Sequence, residues 1–274
     1  MQMRLKDGKR KVLTLSYDDG NAPDIRLIKI LDKYGIKCTF NINSGLLDKS
    51  DEVRENPDGK LTRGEIRKYF TDSNHEAAVH TLTHPWLKSL RPEEIIRETV
   101  GDRQNLEELT GKPVRGMAYP FGCFTDEQAE ILRSCGIVYS RTPIATHGFR
   151  FPSDWLKLDP TCHHNDEKLF ELADEFLHEE PDWDLSNMFY VWGHTYEFDR
   201  DDNWDRIEKF CEYVSGKDDV WYATNIEIYD YVKAYESLIT SYDGKIIHNP
   251  TAVDVWVSVD RKTYKIESGK TVKL

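Results

Sequence analysis

Between residues 11 and 238 short apolar runs alternate with amphipathic helical stretches, and run after run stops at a polar cluster. Lys11–Tyr17 reads as a strand that runs into Asp18-Asp19-Gly20. Pro23–Tyr34 follows as a helix, with Ile25, Ile28, Leu31 and Tyr34 close to a 3.6-residue period, a Pro in its first turn and Gly35 at its stop. Further strands are expected at Cys38–Ile42, His75–His80, Val114–Tyr119, Ile137–Arg141, Met188–Trp192 and Val220–Ala223. Between them fall helices at Thr62–Phe70, Pro92–Leu109, Thr125–Cys135, Asp166–His178, Asn203–Val214 and Ile226–Leu238. Thr62 with Glu65 three residues on makes a capping box. Repeated strand–helix units require parallel strands joined by crossover helices. Seven or eight strands favour a barrel over an open doubly wound sheet, with the chemistry at the strand C-terminal ends.

After Leu238 the pattern changes. Asp254–Val259 alternates strictly, and Thr263–Ile266 and Thr271–Leu274 read as its partner strands across Gly-containing turns. Residues 1–238 are therefore expected to form the barrel and 239–274 a small antiparallel β appendage. The appendage would cover a barrel end or make a homo-oligomer contact; a sugar contact through Trp256 is the remoter reading.

The formal charge of −12 repels phosphate backbones, so nucleic acid is not an expected partner. No apolar run is long enough to cross a bilayer, and residues 1–10 lack the apolar stretch of a signal peptide. Five scattered cysteines (Cys38, Cys123, Cys135, Cys162, Cys211) form no CxxC pair and read as thiols of a reducing compartment. These features point to the cytoplasm, without a membrane partner.

Three polar clusters follow strands directly. His80 and His84 in HTLTH would share one face if that segment turns helical, and could grip one divalent ion. Asp18-Asp19 brings like charges together at a strand end, which is costly unless the carboxylates divide labour, one binding a metal and one acting as base; a capping Asp with a solvated neighbour is the alternative. His194 ends a late strand, where an imidazole could protonate a leaving amine or serve as a hydrogen-bonded structural residue.

TLSYDDG, HTLTH, RGMAYPFG and VWGH, in that order, resemble the motifs of the polysaccharide deacetylase (NodB-homology, carbohydrate esterase family 4-like) proteins, across roughly residues 10–235. The resemblance implies an α/β fold, a distorted (β/α)7-8 barrel of the TIM-like kind. It also implies one divalent metal ion, zinc foremost, with cobalt, nickel or manganese as alternatives. It assigns Asp18 as base, Asp19, His80 and His84 as metal ligands, and His194 as acid. The Phe121 N–H becomes the oxyanion donor, with Tyr119 beside it.

The chain also departs from that pattern. The arginine expected before the Tyr-Pro pair is replaced by Ala118. Arg115 and Arg141 are the candidates to pair with Asp18 instead, and Arg141 is preferred because it ends the neighbouring strand. Asp154-Trp155 has the letters of a family motif in a doubtful register. His163 and His164 would line the pocket, and Glu197 or Asp199 would tune His194. Arg115, Trp155, His163, His164 and Trp192 are thus the candidates for contacting substrate. The expected activity is metal-dependent removal of an N-acetyl or O-acetyl group from a carbohydrate. A C–N hydrolase acting on a small non-sugar amide or ureide, and a catalytically silent carbohydrate-binding barrel, are the alternatives.

Overall fold

The computed structural model describes residues 1–55, 57–179 and 184–274. The chain opens with a short strand, β1 (Gln2–Arg4), followed by β2 (Lys11–Asp18), α1 (Asp24–Tyr34) and β3 (Cys38–Ile42). Next come α2 (Arg63–Phe70), β4 (Glu76–Val79), α3 (Pro92–Thr110), β5 (Gly116–Ala118), α4 (Asp126–Ser134) and β6 (Tyr139–Arg141). Then follow β7 (Cys162–His163), α5 (Leu169–His178), β8 (Asn187–Gly193), α6 (Thr195–Arg200), α7 (Trp204–Val214), β9 (Val220–Tyr222) and α8 (Asn225–Glu236). The strands β2 to β9 pair in parallel in the order β6-β5-β4-β3-β2-β8-β7, with β9 beside the lower half of β2. Leu158 bridges in parallel to Arg141, and Thr161 N–H donates to the Tyr190 carbonyl, so the chain between β6 and β7 curls the sheet toward closure. The result is the distorted (β/α) barrel expected for these strand–helix units.

Strand parity sets which side chains can reach the site. In β2 every residue is buried, as a strand covered on both faces requires. Leu13, Leu15 and Tyr17 pack into the main core under the helices. Thr14, Ser16 and Asp18 take the other face, where Thr14 bonds Asn225 and Ser16 bonds the Tyr190 hydroxyl. In β5, Met117 joins the helix-side core, as does Tyr119 just beyond the strand, which leaves Gly116 and Ala118 for the interior.

Helix ends follow their sequence signals. Thr62 Oγ1 accepts from Glu65 N–H at 3.0 Å and Glu65 Oε2 accepts from Thr62 N–H at 2.9 Å, a reciprocal cap worth about 1 kcal/mol. Gly35 stops α1 with φ 65°, a left-handed backbone that costs Gly little.

The C-terminal segment differs from expectation. It adds β10 (Ile239–Thr240), β11 (Ile246–His248), β12 (Val255–Val259), β13 (Lys262–Ile266) and β14 (Thr271–Lys273), which form two sheets, not one. β13 pairs with β12, but β14 pairs with β11 in a separate sheet β10-β11-β14. The free edge of β12 is taken by β1, from the opposite end of the chain. Trp256 is half-buried against the cluster beneath α8 and its backbone N–H donates to the Tyr231 hydroxyl, so it is no exposed sugar platform. All five cysteines are free. Among the described residues no helix is long and apolar enough to cross a membrane.

Candidate active site and metal centre

Asp18 ends β2 on the interior face and is almost fully buried. Its Oδ2 accepts from the Arg141 guanidinium and its Oδ1 accepts from Asn41 Nδ2 at 2.8 Å. Burial alone would raise this carboxyl, but Arg141, then His80 and His194, outweigh it and hold Asp18 well below the usual carboxylate range. Arg141 is itself buried and lies over the Trp192 ring, 4.1 Å from its centroid. Arg115 points elsewhere. From the other parity of its strand it meets Asp230 on α8, so it neither pairs with Asp18 nor reaches the mouth.

Asp19, His80 and His84 converge beside that pair. Asp19 Oδ1 lies 3.7 Å from His80 Nε2 and 3.6 Å from His84 Nε2. Ligand bonds of about 2.0–2.1 Å around one ion put its donors roughly 3–3.5 Å apart, so the three atoms need to close in only slightly. The His80 ring is set for ligation: Nδ1–H donates to the Ala118 carbonyl at 2.9 Å, which leaves the Nε2 lone pair facing Asp19. Burial pushes His80 down to about 4 and also lowers His84, so both rings are neutral donors near pH 7. This donor set fits a divalent transition metal.

HTLTH is not helical. Thr81 and His84 adopt left-handed φ values of 65° and 57°, and Asp19 has φ 82°. The two imidazoles meet because a loop, not a helix face, turns them together. Polar groups fasten that loop. Asp102 on α3 accepts from the backbone N–H of Ser44 and of His80, and Asn43 Nδ2 donates to the carbonyls of His80 and Thr81. Lys60 Nζ donates to the Asp19 carbonyl at 2.7 Å. Asn41, Asn43, Lys60 and Asp102 escaped the sequence reading. Asp102 carries no strand-end signal, since it sits mid-helix on a face whose partner loop cannot be known in advance.

His194 stands across the cleft, with Nε2 3.9 Å from Asp18 Oδ2 and Nδ1 3.6 Å from Glu197 Oε2. Burial lowers its pKa, but the carboxylates of Glu197, Asp18 and Asp19 more than offset this and raise it above the ordinary histidine value. Asp199 instead accepts from the Trp204 indole at 2.7 Å.

The rim is aromatic. Phe121 has φ 56°, stands half out of the surface, and stacks flat on exposed Trp86 at 4.4 Å with an interplanar angle of 7°. Its other side meets the His84 ring edge-on at 4.4 Å. Among the described residues its backbone N–H has no hydrogen-bond partner. Tyr119 does not share this exposure. Its ring stacks on Phe124 and its hydroxyl donates to the Leu156 carbonyl, so its side chain belongs to the core. Trp155 is also withdrawn, packed against Tyr229 of α8 beneath the barrel. Trp192 and His163 do reach the site wall, in edge contact at 4.8 Å. His164 is fully buried between Tyr17 and Phe198 and cannot contact substrate.

The barrel gathers these carboxylates and imidazoles at its strand C-terminal ends, where enzymes of this architecture carry their active sites. Residues 5–140 match the family model described as polysaccharide deacetylase, so the chain carries a domain of that family over that span. Over 156 residues it is 26% identical to chitin deacetylase 1 of Cryptococcus neoformans var. grubii, covering 57% of this chain and 30% of that protein. Over 154 residues it is 24% identical to a chitooligosaccharide deacetylase of Rhizobium leguminosarum bv. phaseoli, covering 53% and 57%. The matches thus span 30% and 57% of those relatives' lengths. Among solved structures, a Mycobacterium smegmatis protein assigned to the polysaccharide deacetylases superposes with a TM-score of 0.59 at 17% identity, covering 86% of this chain and 95% of that one. The Xyl-CE4 domain of a multidomain xylanase from the Trinervitermes trinervoides hindgut metagenome gives 0.54 at 14%, covering 82% and 92%. At those identities the two structures speak for the fold.

Proposed function

We propose that the chain is a metal-dependent deacetylase that removes an N-acetyl or O-acetyl group from a carbohydrate. The observation that carries this reading is the adjacency of two units: the Asp19–His80–His84 donor triad, and Asp18 kept ionised by Arg141. Asp19, His80 and His84 would hold the ion, zinc in the first instance. When bound there, a divalent cation polarises an acyl carbonyl and lowers the pKa of water.

The protein's own groups supply the rest. Asp18 accepts the proton of the attacking water, and Arg141 keeps it ionised until then. The Phe121 N–H, with no partner among the described residues, donates to the oxyanion; one such donor is worth roughly 3 kcal/mol. His194 Nε2 delivers a proton to the departing nitrogen as the acyl C–N bond breaks with its electron pair on nitrogen. The water oxygen becomes part of the released acetate, and a free amino sugar remains. On an ester the same steps release an alcohol.

The test is acetate release from N-acetylated sugar oligomers, O-acetylated glycans and a panel of small amides, with zinc, cobalt, nickel or manganese added to stripped protein. Turnover of sugar substrates that disappears in Asp18→Asn supports the reading. Turnover of small amides alone would replace the substrate class. No metal uptake and no turnover on any substrate would leave a silent binding barrel.

A further inference from the structure

The wall opposite the metal donors holds a second polar cluster. Glu197 Oε2 lies 3.0 Å from His163 Nε2, 3.3 Å from His164 Nε2 and 3.6 Å from His194 Nδ1. By spacing alone, His163, His164 and Glu197 could also hold a metal ion. Proton positions decide between a cation and a hydrogen-bonded clamp.

An imidazole that ligates a metal gives its second N–H to an acceptor, as His80 does to Ala118. His163 does the reverse. Its Nδ1 accepts from the Asn165 backbone N–H at 3.2 Å, so in the neutral ring the proton sits on Nε2, facing Glu197. His164 Nδ1 is pressed against Gly193 so closely that a Cβ there would lie 1.8 Å from it, and among the described residues neither ring nitrogen completes a hydrogen bond, Nε2 standing 3.3 Å from Glu197 Oε2 without hydrogen-bond alignment. A lone pair on Nε2 would face the negative Glu197 oxygen at 3.3 Å, so the proton is better placed there than on Nδ1. Burial pushes His164 down to about 2, which keeps the ring a neutral donor. Each nitrogen that would have to offer a lone pair to an ion thus carries a hydrogen.

We infer that His163 and His164 are positioning residues: two N–H groups fix the Glu197 carboxylate against His194 Nδ1, and the cluster is not a second metal site. The parts come from separate elements: His163 ends β7, His164 follows it, Glu197 lies on α6 and His194 precedes that helix. His164 is immobilised by stacking, 5.6 Å from Tyr17 at 13° and 4.2 Å from Phe198 at 26°. Glu197 Oε2 also lies 3.4 Å from the His194 backbone N–H, so the carboxylate addresses both ends of that residue. With Nδ1 facing Glu197, Nε2 is left to face the cleft. The kinetic consequence rests on the reading of His194 as the acid; the tautomers and the metal count do not.

Two measurements on the full chain test this. Long-range proton–nitrogen correlation spectra of 15N-histidine protein should report Nε2–H tautomers at His163 and His164. Adding zinc alone should perturb His80 and His84 and leave those two rings unchanged through a second equivalent. An Nδ1–H tautomer at either ring, or its signal moving with the second equivalent, overturns the proposal whether or not the protein is a deacetylase. Separately, His163→Leu should lower kcat at least roughly tenfold at unchanged KM, a part of the 10²–10⁴ that a positioned acid supplies. His163→Gln, which keeps a donor near the Nε2 position, should recover most of it. Equal losses in the two variants overturn the positioning role. Wild-type protein with no turnover would defeat the deacetylase reading and leave the spectra to decide the clamp.

Discussion

Arg141 at the end of β6 donates to Asp18 at the end of β2, across 123 residues of sequence, and both side chains are almost fully withdrawn from solvent. A buried pair of this kind is costly to break from one side, because the surviving charge keeps its desolvation without its partner.

Arg141→Met should therefore destabilise the fold by about 3–5 kcal/mol near neutral pH, read from denaturant midpoints. The folded pKa of Asp18 lies below its unfolded value of about 3.9. Its contribution is then present above about pH 4 and is lost as acid carries the pH down through the folded value. In Arg141→Met that loss should begin at higher pH. An unchanged midpoint and an unchanged acid limb would mean the pair carries no net stability.

Metal content and turnover should separate by residue. His80→Ala should lose bound zinc and activity together, because it removes a ligand and the link to Ala118. Asp18→Asn should retain zinc, lose turnover and stay folded. Elemental analysis beside acetate release measures both. Near-full turnover of Asp18→Asn at saturating metal would refute the base assignment.

The pH–rate profile should have an alkaline limb set by His194. A general acid works while protonated, so rate holds below its pKa and falls as pH rises through it. The Glu197 carboxylate is among the groups that hold this pKa above its ordinary value of about 6.5, against the pull of burial. Glu197→Gln should move the alkaline limb of kcat to lower pH. A limb that stays in place would assign it to another group.

Trp86 stands half in solvent at the rim, stacked on Phe121, which touches His84. Exposed aromatic surface beside a site is a candidate contact for substrate. Trp86→Ala should raise KM several-fold for sugar oligomers, with kcat and thermal stability nearly unchanged. Equal KM values for wild type and variant would remove Trp86 from substrate contact.

Periodicity made much of this architecture legible in advance. The buried strand Lys11–Asp18, the helix stop at Gly35 and the Thr62–Glu65 cap are local features with local signals. Arg141 could be proposed as the partner of Asp18 because strand ends of a parallel barrel converge. Side-chain parity beyond a strand was harder to read. Tyr119 follows Met117 to the helix side while Phe121 escapes through a left-handed turn, and a sequence pattern marks no such turn at a phenylalanine. The HTLTH loop failed the helical expectation for the same reason, since two non-glycine residues take positive φ. Such strain at site residues costs of order 1–3 kcal/mol each and persists only where the surroundings enforce it. Asp102 and Asn43 are that enforcement here, and they lie on segments that meet only in three dimensions.

The pairing of β1 with β12 sets an order of events for the newborn polypeptide. Gln2, Met3 and Arg4 leave the ribosome long before their ladder partners Ser258, Val257 and Trp256. Throughout most of synthesis that segment must wait as an unzipped edge while the barrel assembles behind it. Removing residues 255–274 would thus disturb β1, and the paired segments would be expected to exchange their amide hydrogens together.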